Sequence, residues 1–267
     1  MSRNPWPFIG RLYLATTYLF LFLPIVVLIL FSVQKNRFPG FPLQGWSLQW
    51  YEKLFHEGTL IAALGNSLIV SPTAATVATG IGFLAAYALN RFEFPGKALL
   101  SGIIVLPILI PPLILGVGFL GLLARVNLNG SLFSVFLTHV VLLTAPAMAI
   151  IQLRLAQMPA SIEEAAWDLG ATEWQTLRRV VLPFALPGLL GGWLLAFTFS
   201  FDEFIIAWFV SGFDQTLPVA IYSVLVAAMD PSLNAIGTIV FVISGLILLA
   251  IELVLLPLIF GRDRADA

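Results

Sequence analysis

The chain has 267 residues, of which 60% are hydrophobic and 10% are charged, and its mean hydropathy is +0.99. Soluble domains carry about 25% charged residues, so this composition excludes a soluble domain and indicates an integral membrane protein. A formal net charge of -1 gives no case for a nucleic-acid-binding protein, and the lack of cysteine excludes disulfides and thiolate chemistry.

Long uncharged stretches predict six membrane-spanning helices, because each is long enough for the roughly 20 residues that cross a hydrocarbon core. The predicted spans cover residues 12–33, 61–89, 98–124, 131–153, 185–210 and 233–259. A shorter uncharged stretch at 215–229 is expected to lie at the interface or to re-enter the membrane instead of crossing it. The predicted fold is therefore an all-α integral membrane protein with one transmembrane domain over residues 1–267.

Basic residues are distributed unequally between the two sides of this arrangement. One side would hold nine of the 13 Lys and Arg residues: Arg3, Arg11, Arg91, Lys97, Arg154, Arg178, Arg179, Arg262 and Arg264. Because cytoplasmic loops of membrane proteins are enriched in basic residues, we expect both termini and the loop at 154–183 to be cytoplasmic.

Two segments differ from plain apolar spans. After the first span, residues 46–55 mix aromatic and charged side chains, which predicts an amphipathic segment anchored at the outer interface. The third span contains three prolines and two glycines, namely Pro107, Pro111, Pro112, Gly116 and Gly118. We expect them to interrupt the helix, and irregular backbone at this depth needs cover from protein or a cavity. This segment either lines a transport path or forms a kink that serves only helix packing.

Residues 154–183, called the charged loop below, combine charge with helix-start signals. Two pairs have the form of a capping box: Ser161 with Glu164, and Thr172 with Gln175. Gly170 lies between them and can take the left-handed conformation at a helix end without steric cost. The loop is therefore expected to hold two short helices, separated at Gly170 and ended by Pro183.

The first of these short helices is predicted to be amphipathic. Its apolar residues Ile162, Ala165, Ala166 and Leu169 share one face, opposite the acids Glu163, Glu164 and Asp168. The second helix continues such a stripe with Trp174, Leu177 and Val181. A merely solvated loop would not need two capped helices and a glycine break, so a partner protein is expected to bind here.

Asp202 and Glu203 lie deep in the fifth predicted span. An ionised acid in a span costs about 2.5–3.5 kcal/mol, so two adjacent acids need water, a partner or a function. As a functional pair they would line an aqueous path and attract a cationic substrate, or hold a gate closed. Hydrogen bonding between helices is the structural alternative.

Enzyme motifs are largely missing from the sequence. His56 and His139 are far apart and form no zinc-hydrolase motif, and Gly96-Lys97 lacks the rest of a P-loop. We therefore expect a chain that is not an enzyme. His139, alone in the fourth span, is expected to pack or hydrogen-bond against a neighbouring helix.

The charged loop resembles the EAA loop of ABC importer permeases. The matching residues are Glu164-Ala165-Ala166, Gly170 after three more residues, and Val180-x-Leu182-Pro183 after nine more, with Val180 where Ile is usual. Further matches are Trp50-Tyr51-x-x-Leu54-Phe55, Phe94-Pro95-Gly96-Lys97, Ser200-Phe201-Asp202-Glu203-Phe204, Val210-Ser211-Gly212 and Thr216-Leu217-Pro218. Together they resemble the PotC-like branch of the spermidine/putrescine permease subfamily.

This resemblance implies a type I importer permease of the bacterial inner membrane, which forms half of a pathway for a small cationic solute, foremost a polyamine. The expected partners are two cytoplasmic ATP-binding subunits, a second and paralogous permease, and an extracytoplasmic binding protein, in a lipid bilayer. ATP and Mg²⁺ would be bound by the ATPase, and this chain would bind no cofactor. Coupling to the ATPase would involve Glu163, Glu164, Ala165, Ala166, Asp168 and Gly170, and the substrate pathway Asp202 and Glu203.

The sequence departs from the family pattern at the acidic pair, because Glu203 occupies a position where Asp is expected next to Asp202. Permeases for other small amino compounds share much of the pattern, so a substrate of that kind is the alternative. A transporter driven by an ion or proton gradient, with Asp202 and Glu203 as relays, is a further alternative from another class.

Overall fold

The computed structural model describes residues 6–38, 40–227 and 230–260, and this part of the chain is almost entirely helical. The basic residues Arg3, Arg262 and Arg264, on which the predicted side of the termini partly depends, lie outside the described residues. A single isolated β-bridge within the described part joins Gln34 to Trp46.

The first helices in chain order are α1 Trp6–Ser32, α2 Gln49–Glu57, α3 Thr59–Arg91, α4 Lys97–Leu109, α5 Pro112–Arg125 and α6 Leu132–Leu155. The charged loop contains α7 Ala160–Asp168, α8 Glu173–Thr176 and a π-helical turn over Leu177–Val181. The remaining helices are α9 Leu182–Asp202, α10 Ile205–Val210, α11 Leu217–Ala227 and α12 Ser232–Phe260.

Four described helices are long and apolar enough to cross a membrane: α1, α3, α6 and the continuous helix Glu173–Asp202. Helices α4 and α5 pass the same test only as a pair. These five correspond to the first five predicted spans, and α12, with 29 residues, covers the sixth. Helix α11 has 11 residues, which is too short for a span, as predicted for this stretch.

The third predicted span is broken between α4 and α5, whose axes differ by 107°. Ile110 and Pro111 connect them in extended conformation, with ψ of 131° at both residues. Proline lacks a backbone N–H and disfavours helical backbone at the residue before it, so two consecutive prolines end the helix here. The predicted interruption of this span is confirmed.

One compact unit of the structure comprises the described residues within 1–61 and 221–267. In it α1 and α2 both pack against α12. The Tyr51 and Ser32 hydroxyls lie 2.8 Å apart and join α2 to the end of α1, while Lys53 forms an ion pair with Asp230 just before α12. The segment predicted to be amphipathic is therefore a short helix held by polar contacts within this unit.

The second compact unit comprises residues 62–220, and its core is formed by α3, α6 and α9. Small residues allow close approach of these backbones, as is common between membrane helices. A Cβ atom at Gly82 of α3 would lie 2.9 Å from the backbone N of Met148 in α6. A Cβ atom at Gly188 of α9 would lie 2.7 Å from Cβ of Arg154. One of its buried clusters contains Phe83, Ala86, Leu89, Met148, Ile151, Leu155, Val181 and Ala185.

Pro183 does not end the second short helix, and this prediction is wrong. The chain passes from α8 through the π-helical turn into α9 without interruption, and the N–H of Leu182 bonds to the carbonyl of Leu177. The wider turn changes the register of the backbone hydrogen bonds just before Pro183, which allows the proline ring and its missing N–H within a continuous helix. The charged loop is therefore continuous with the fifth span.

Candidate functional site

The two helices of the charged loop are capped differently from each other. At α8 the predicted capping box is present: the Gln175 N–H donates to Thr172 Oγ1 at 3.3 Å, and the Thr172 N–H donates to Gln175 Oε1 at 3.0 Å. The box predicted for Ser161 and Glu164 is wrong, because α7 begins at Ala160 and Ser161 lies inside its first turn. Gly170 has φ of +82°, so the predicted left-handed break is confirmed.

The apolar stripe of α7 is exposed in this chain. Leu169 is 89% exposed and Trp174 of α8 is 68% exposed, and Ile162 and Ala165 are exposed as well. The carboxylates of Glu164 and Asp168 are also at the surface. Most exposed apolar patches on soluble protein surfaces mark binding sites, and this one lies on a charged loop between spans.

Glu163 points away from this surface and is only 1% exposed. Its Oε2 lies 2.9 Å from Nε of Arg91, at the C-terminal end of α3, and accepts a hydrogen bond of 3.4 Å from the Tyr87 hydroxyl. Glu163 is one of the residues predicted to couple to a partner, whereas its carboxylate binds this chain's own α3.

Arg91 was not identified as a site residue from the sequence. Its guanidinium lies over the Trp167 ring of α7, 5.6 Å from the ring centre, so it contacts α7 both through a carboxylate and through an aromatic face. Arg91 and Glu163 are 72 positions apart in the sequence. The only signal in the sequence was a basic residue at a predicted helix end, which is too common to identify the pair.

Two cavities flank Arg91. One, of about 220 Å³, is lined by Tyr87, Asn90, Arg91, Leu155, Ala156, Met158, Ala160 and Glu163. The other, of about 290 Å³, is lined by Tyr87, Arg91, Phe92, Trp167, Glu173, Trp174 and Leu177. Tyr87 and Arg91 are thus shared by the two pockets.

The fifth predicted span is interrupted between α9 and α10, at its acidic pair. Glu203 has extended backbone, with φ of −67° and ψ of 120°. Its Oε1 accepts the N–H of Ile206 and its Oε2 the N–H of Ala207, both at 2.9 Å. A carboxylate in this position satisfies backbone donors at a helix start and interacts favourably with the helix dipole. Glu203 therefore caps α10.

His139 of α6 connects to the same interruption. Its Nδ1 lies 2.8 Å from Ser200 Oγ in α9, and its Nε2 lies 3.5 Å from Oε2 of Glu203. His139 is fully buried and Glu203 is 11% exposed at its side chain. The prediction that His139 hydrogen-bonds to a neighbouring helix is confirmed. The hydrogen bonds of Glu203 go to backbone N–H groups at the start of α10, and its contact with Nε2 of His139 is longer than a hydrogen bond.

Asp202 behaves differently from its neighbour, because its side chain is exposed and has no ion-pair partner among the described residues. Along the same helix, three aromatic rings follow one another at intervals of four residues. The ring centres are 5.4 Å apart for Trp193 and Phe197 and 6.1 Å apart for Phe197 and Phe201. Asp202 thus directly follows the last ring of an aromatic row.

Metal binding has no candidate site in the part of the chain that the structure describes, where no three His, Asp or Glu side chains form a cluster suited to an ion.

Comparison with known proteins gives a consistent result over most of the chain. Residues 78–260 match the family model described as binding-protein-dependent transport system inner membrane component. The spermidine/putrescine transport system permease protein PotC of Haemophilus influenzae is 37% identical over 238 residues, which are 89% of this chain and 92% of that protein. The putrescine transport system permease protein PotI of Escherichia coli K12 is 33% identical over 253 residues, 92% of this chain and 89% of that protein.

Solved structures show the same fold at lower sequence identity. A bacterial ABC transporter involved in the import of the acidic polysaccharide alginate contains a chain with a TM-score of 0.72 and 18% identity, covering 96% of this chain and 97% of that chain. The described helices thus have the fold of a type I ABC importer permease. The chain belongs to the family of binding-protein-dependent transport system inner membrane components, the permease subunits of ABC importers.

Proposed function

We propose that this permease subunit forms one half of the pathway for a small cationic solute, foremost a polyamine, and that its charged loop couples the pathway to a cytoplasmic ATPase. The observation that carries the coupling role is the exposed face of α7 and α8. Leu169 and Trp174 offer apolar area to a partner, and Glu164 and Asp168 offer carboxylates to its basic groups.

The remaining loop residues suit the same role. Ala165 and Ala166 are small, so a partner surface can approach the backbone of α7 closely. Gly170, with φ of +82°, fixes the angle between α7 and α8 at a conformation that side-chain-bearing residues rarely adopt. Glu163 holds α7 against α3 from the side opposite the proposed interface.

The test of this coupling role is co-purification of the ATPase with tagged permease, combined with uptake in proteoliposomes. Glu164→Lys reverses a charge on the proposed interface, so we expect ATPase binding to weaken by about 10-fold or more. Glu93→Lys makes the same change at an exposed residue in another loop, and ATPase binding is expected to stay at the wild-type level. Equal ATPase binding by both variants would contradict the proposed interface.

The proposed substrate class depends on Asp202. An exposed carboxylate can attract an ammonium group by charge. The relatives at 37% and 33% identity are named as permeases for spermidine/putrescine and for putrescine. A permease for another small amino compound is the second candidate, since such a substrate also carries an ammonium group.

Uptake of radiolabelled spermidine and putrescine by the complete importer tests this substrate class. Asp202→Asn removes the charge, and we expect uptake to fall about 10-fold while the ATPase still binds. Asp214→Asn, the same change at another exposed acid, serves as the matched control. If the wild-type importer takes up neither polyamine but does take up another amino compound, the polyamine proposal is wrong and the permease class is unaffected.

The proposed assembly contains two ATP-binding subunits, which bind Mg²⁺ and hydrolyse ATP, a second and paralogous permease, and an extracytoplasmic binding protein. The family description, which names binding-protein dependence and the inner membrane, supports the last partner and the location. Both termini and the charged loop would face the cytoplasm. Purification of the complex through a tag on this chain, followed by mass spectrometry of its subunits, tests the assembly.

A further inference from the structure

A buried ion pair connects the charged loop to helix α3. Nε of Arg91, the last residue of α3, lies 2.9 Å from Oε2 of Glu163 in α7. Glu163 is 1% exposed and Arg91 is 21% exposed at its side chain. The Tyr87 hydroxyl, one turn earlier in α3, donates to the same carboxylate oxygen at 3.4 Å.

Helix α7 contacts its own loop as well as α3. It packs against α8 and the π-helical turn, which belong to the same loop. On the side of α3, Tyr87 and Arg91 line both of two pockets of about 220 and 290 Å³. The Arg91 guanidinium contacts α7 at Glu163 and at the Trp167 ring.

We propose that the Arg91–Glu163 ion pair transmits movement of α7 to α3, which makes Arg91 a positioning residue for the coupling of ATP hydrolysis to transport. This inference rests on the proposed binding of the charged loop to the ATPase. The exposed face of α7 would receive the movement, and the buried carboxylate on its opposite side would pass it to the end of a membrane-spanning helix.

An ion pair suits this role because of its chemistry. Removing one partner leaves a buried, uncompensated charge, so the two groups stay together while the helices move. The planar guanidinium can hold a carboxylate and stack on an aromatic ring at the same time, which fixes its direction better than a lysine would.

The test uses the complete importer, purified through a tag on this chain and reconstituted in proteoliposomes, with solute taken up per ATP hydrolysed as the readout. Glu163→Gln and Arg91→Gln each remove one charge. We expect the ATPase to co-purify as with the wild type, while uptake per ATP falls about five-fold or more. Arg91→Lys retains the charge but loses the planar fork, and should give an intermediate value.

Glu93→Gln is the matched control. Glu93 lies only two residues after Arg91 and forms an ion pair with Lys97 at the surface. It should leave uptake per ATP unchanged. In the double variant Arg91→Gln with Glu163→Gln, neither charge is left unpaired, so the loss should be smaller than the sum of the two single losses.

Three results would overturn the proposal: unchanged uptake per ATP in both single variants, loss of bound ATPase from either of them, or additive losses in the double variant. Variants are compared only at matched yield and size-exclusion profile, and Arg91→Lys replaces any variant that does not fold. If the wild-type complex itself holds no ATPase, the proposed coupling function fails before this pair is tested.

Discussion

His139 and Glu203 meet where the fifth span is interrupted, with Nε2 of the imidazole 3.5 Å from Oε2 of the carboxylate. The same carboxylate holds the first N–H groups of α10, and the same imidazole contacts Ser200 near the end of α9. The end of α9 is thus hydrogen-bonded to α6, and the carboxylate that caps α10 lies beside the same imidazole. Polar contacts therefore contribute to the stability of the interruption.

The cap on α10 should contribute to that stability. Glu203→Ala removes both acceptors and leaves the N–H groups of Ile206 and Ala207 without partners, which should cost about 2 kcal/mol. Glu203→Gln keeps one carbonyl oxygen and should lose about half as much. The midpoint of thermal unfolding in detergent measures both, and a wild-type midpoint for Glu203→Ala would contradict the capping role.

His139 should stabilise the folded protein through its hydrogen bond with Ser200. His139→Ala removes the imidazole from a fully buried position and leaves a cavity, so we expect a loss of about 2–4 kcal/mol. His139→Asn places an amide near the position of Nδ1, so it should lose less stability than His139→Ala. Ser200→Ala tests the other partner, and equal stability of His139→Ala and His139→Asn would argue against the hydrogen bond.

Close helix packing predicts a position-specific effect of an added methyl group in α3. In Gly82→Ala the new Cβ would lie 2.9 Å from the backbone N of Met148, which cannot move away as a side chain could. We expect a destabilisation of about 1–3 kcal/mol. Gly80→Ala is the matched control two residues earlier, where no atom lies within 4 Å, and its thermal midpoint should equal or exceed that of the wild type.

The ion pair between Lys53 and Asp230 predicts a loss of stability in acid. Burial raises the pKa of Asp230, but hydrogen bonds from the Lys53 ammonium and the Ser232 N–H outweigh it and hold the pKa below its ordinary value of 3.8. A carboxyl whose pKa is lower in the folded state stabilises the fold above its unfolded pKa, and this is lost as the pH falls through the folded value. The thermal midpoint should therefore decrease below pH 3.8.

Asp230→Asn should reduce stability at neutral pH and flatten this acid-side decrease. Glu57→Gln is the matched control, because Glu57 lies 3.6 Å from Lys53 but is 62% exposed at its side chain. Exposed ion pairs contribute little, so its pH profile should resemble that of the wild type. An unchanged acid-side decrease in Asp230→Asn would assign the effect to other carboxyl groups.

Features that depend on nearby residues could be predicted from the sequence. The capping box of Thr172 and Gln175 joins residues three positions apart, and the conformation of Gly170 depends on its lack of Cβ. The interruption between α4 and α5 follows from consecutive prolines. Each of these features requires no knowledge of which helices are neighbours.

Features that depend on helix packing could not be predicted. Arg91 meets Glu163, and His139 meets Ser200, only because α3, α6, α7 and α9 come together in one unit. For the same reason, Asp202 and Glu203 were predicted to act as a pair. In the structure, the end of α9 exposes Asp202 and turns Glu203 inward. Pro183 was misjudged because a π-helical turn, which has no clear sequence signature, carries the helix past it.

The unbroken helix from Glu173 to Asp202 has 30 residues, which corresponds to about 45 Å. It approaches α6 closely at Gly188 and Gly192, about 25 Å from Glu173 and about 18 Å from Asp202 along the helix axis. A tilt of the whole helix about this contact that moved Glu173 by about 3 Å would move Asp202 by about 2 Å in the opposite direction. The carboxylate of Asp202 would then change position whenever the charged loop did.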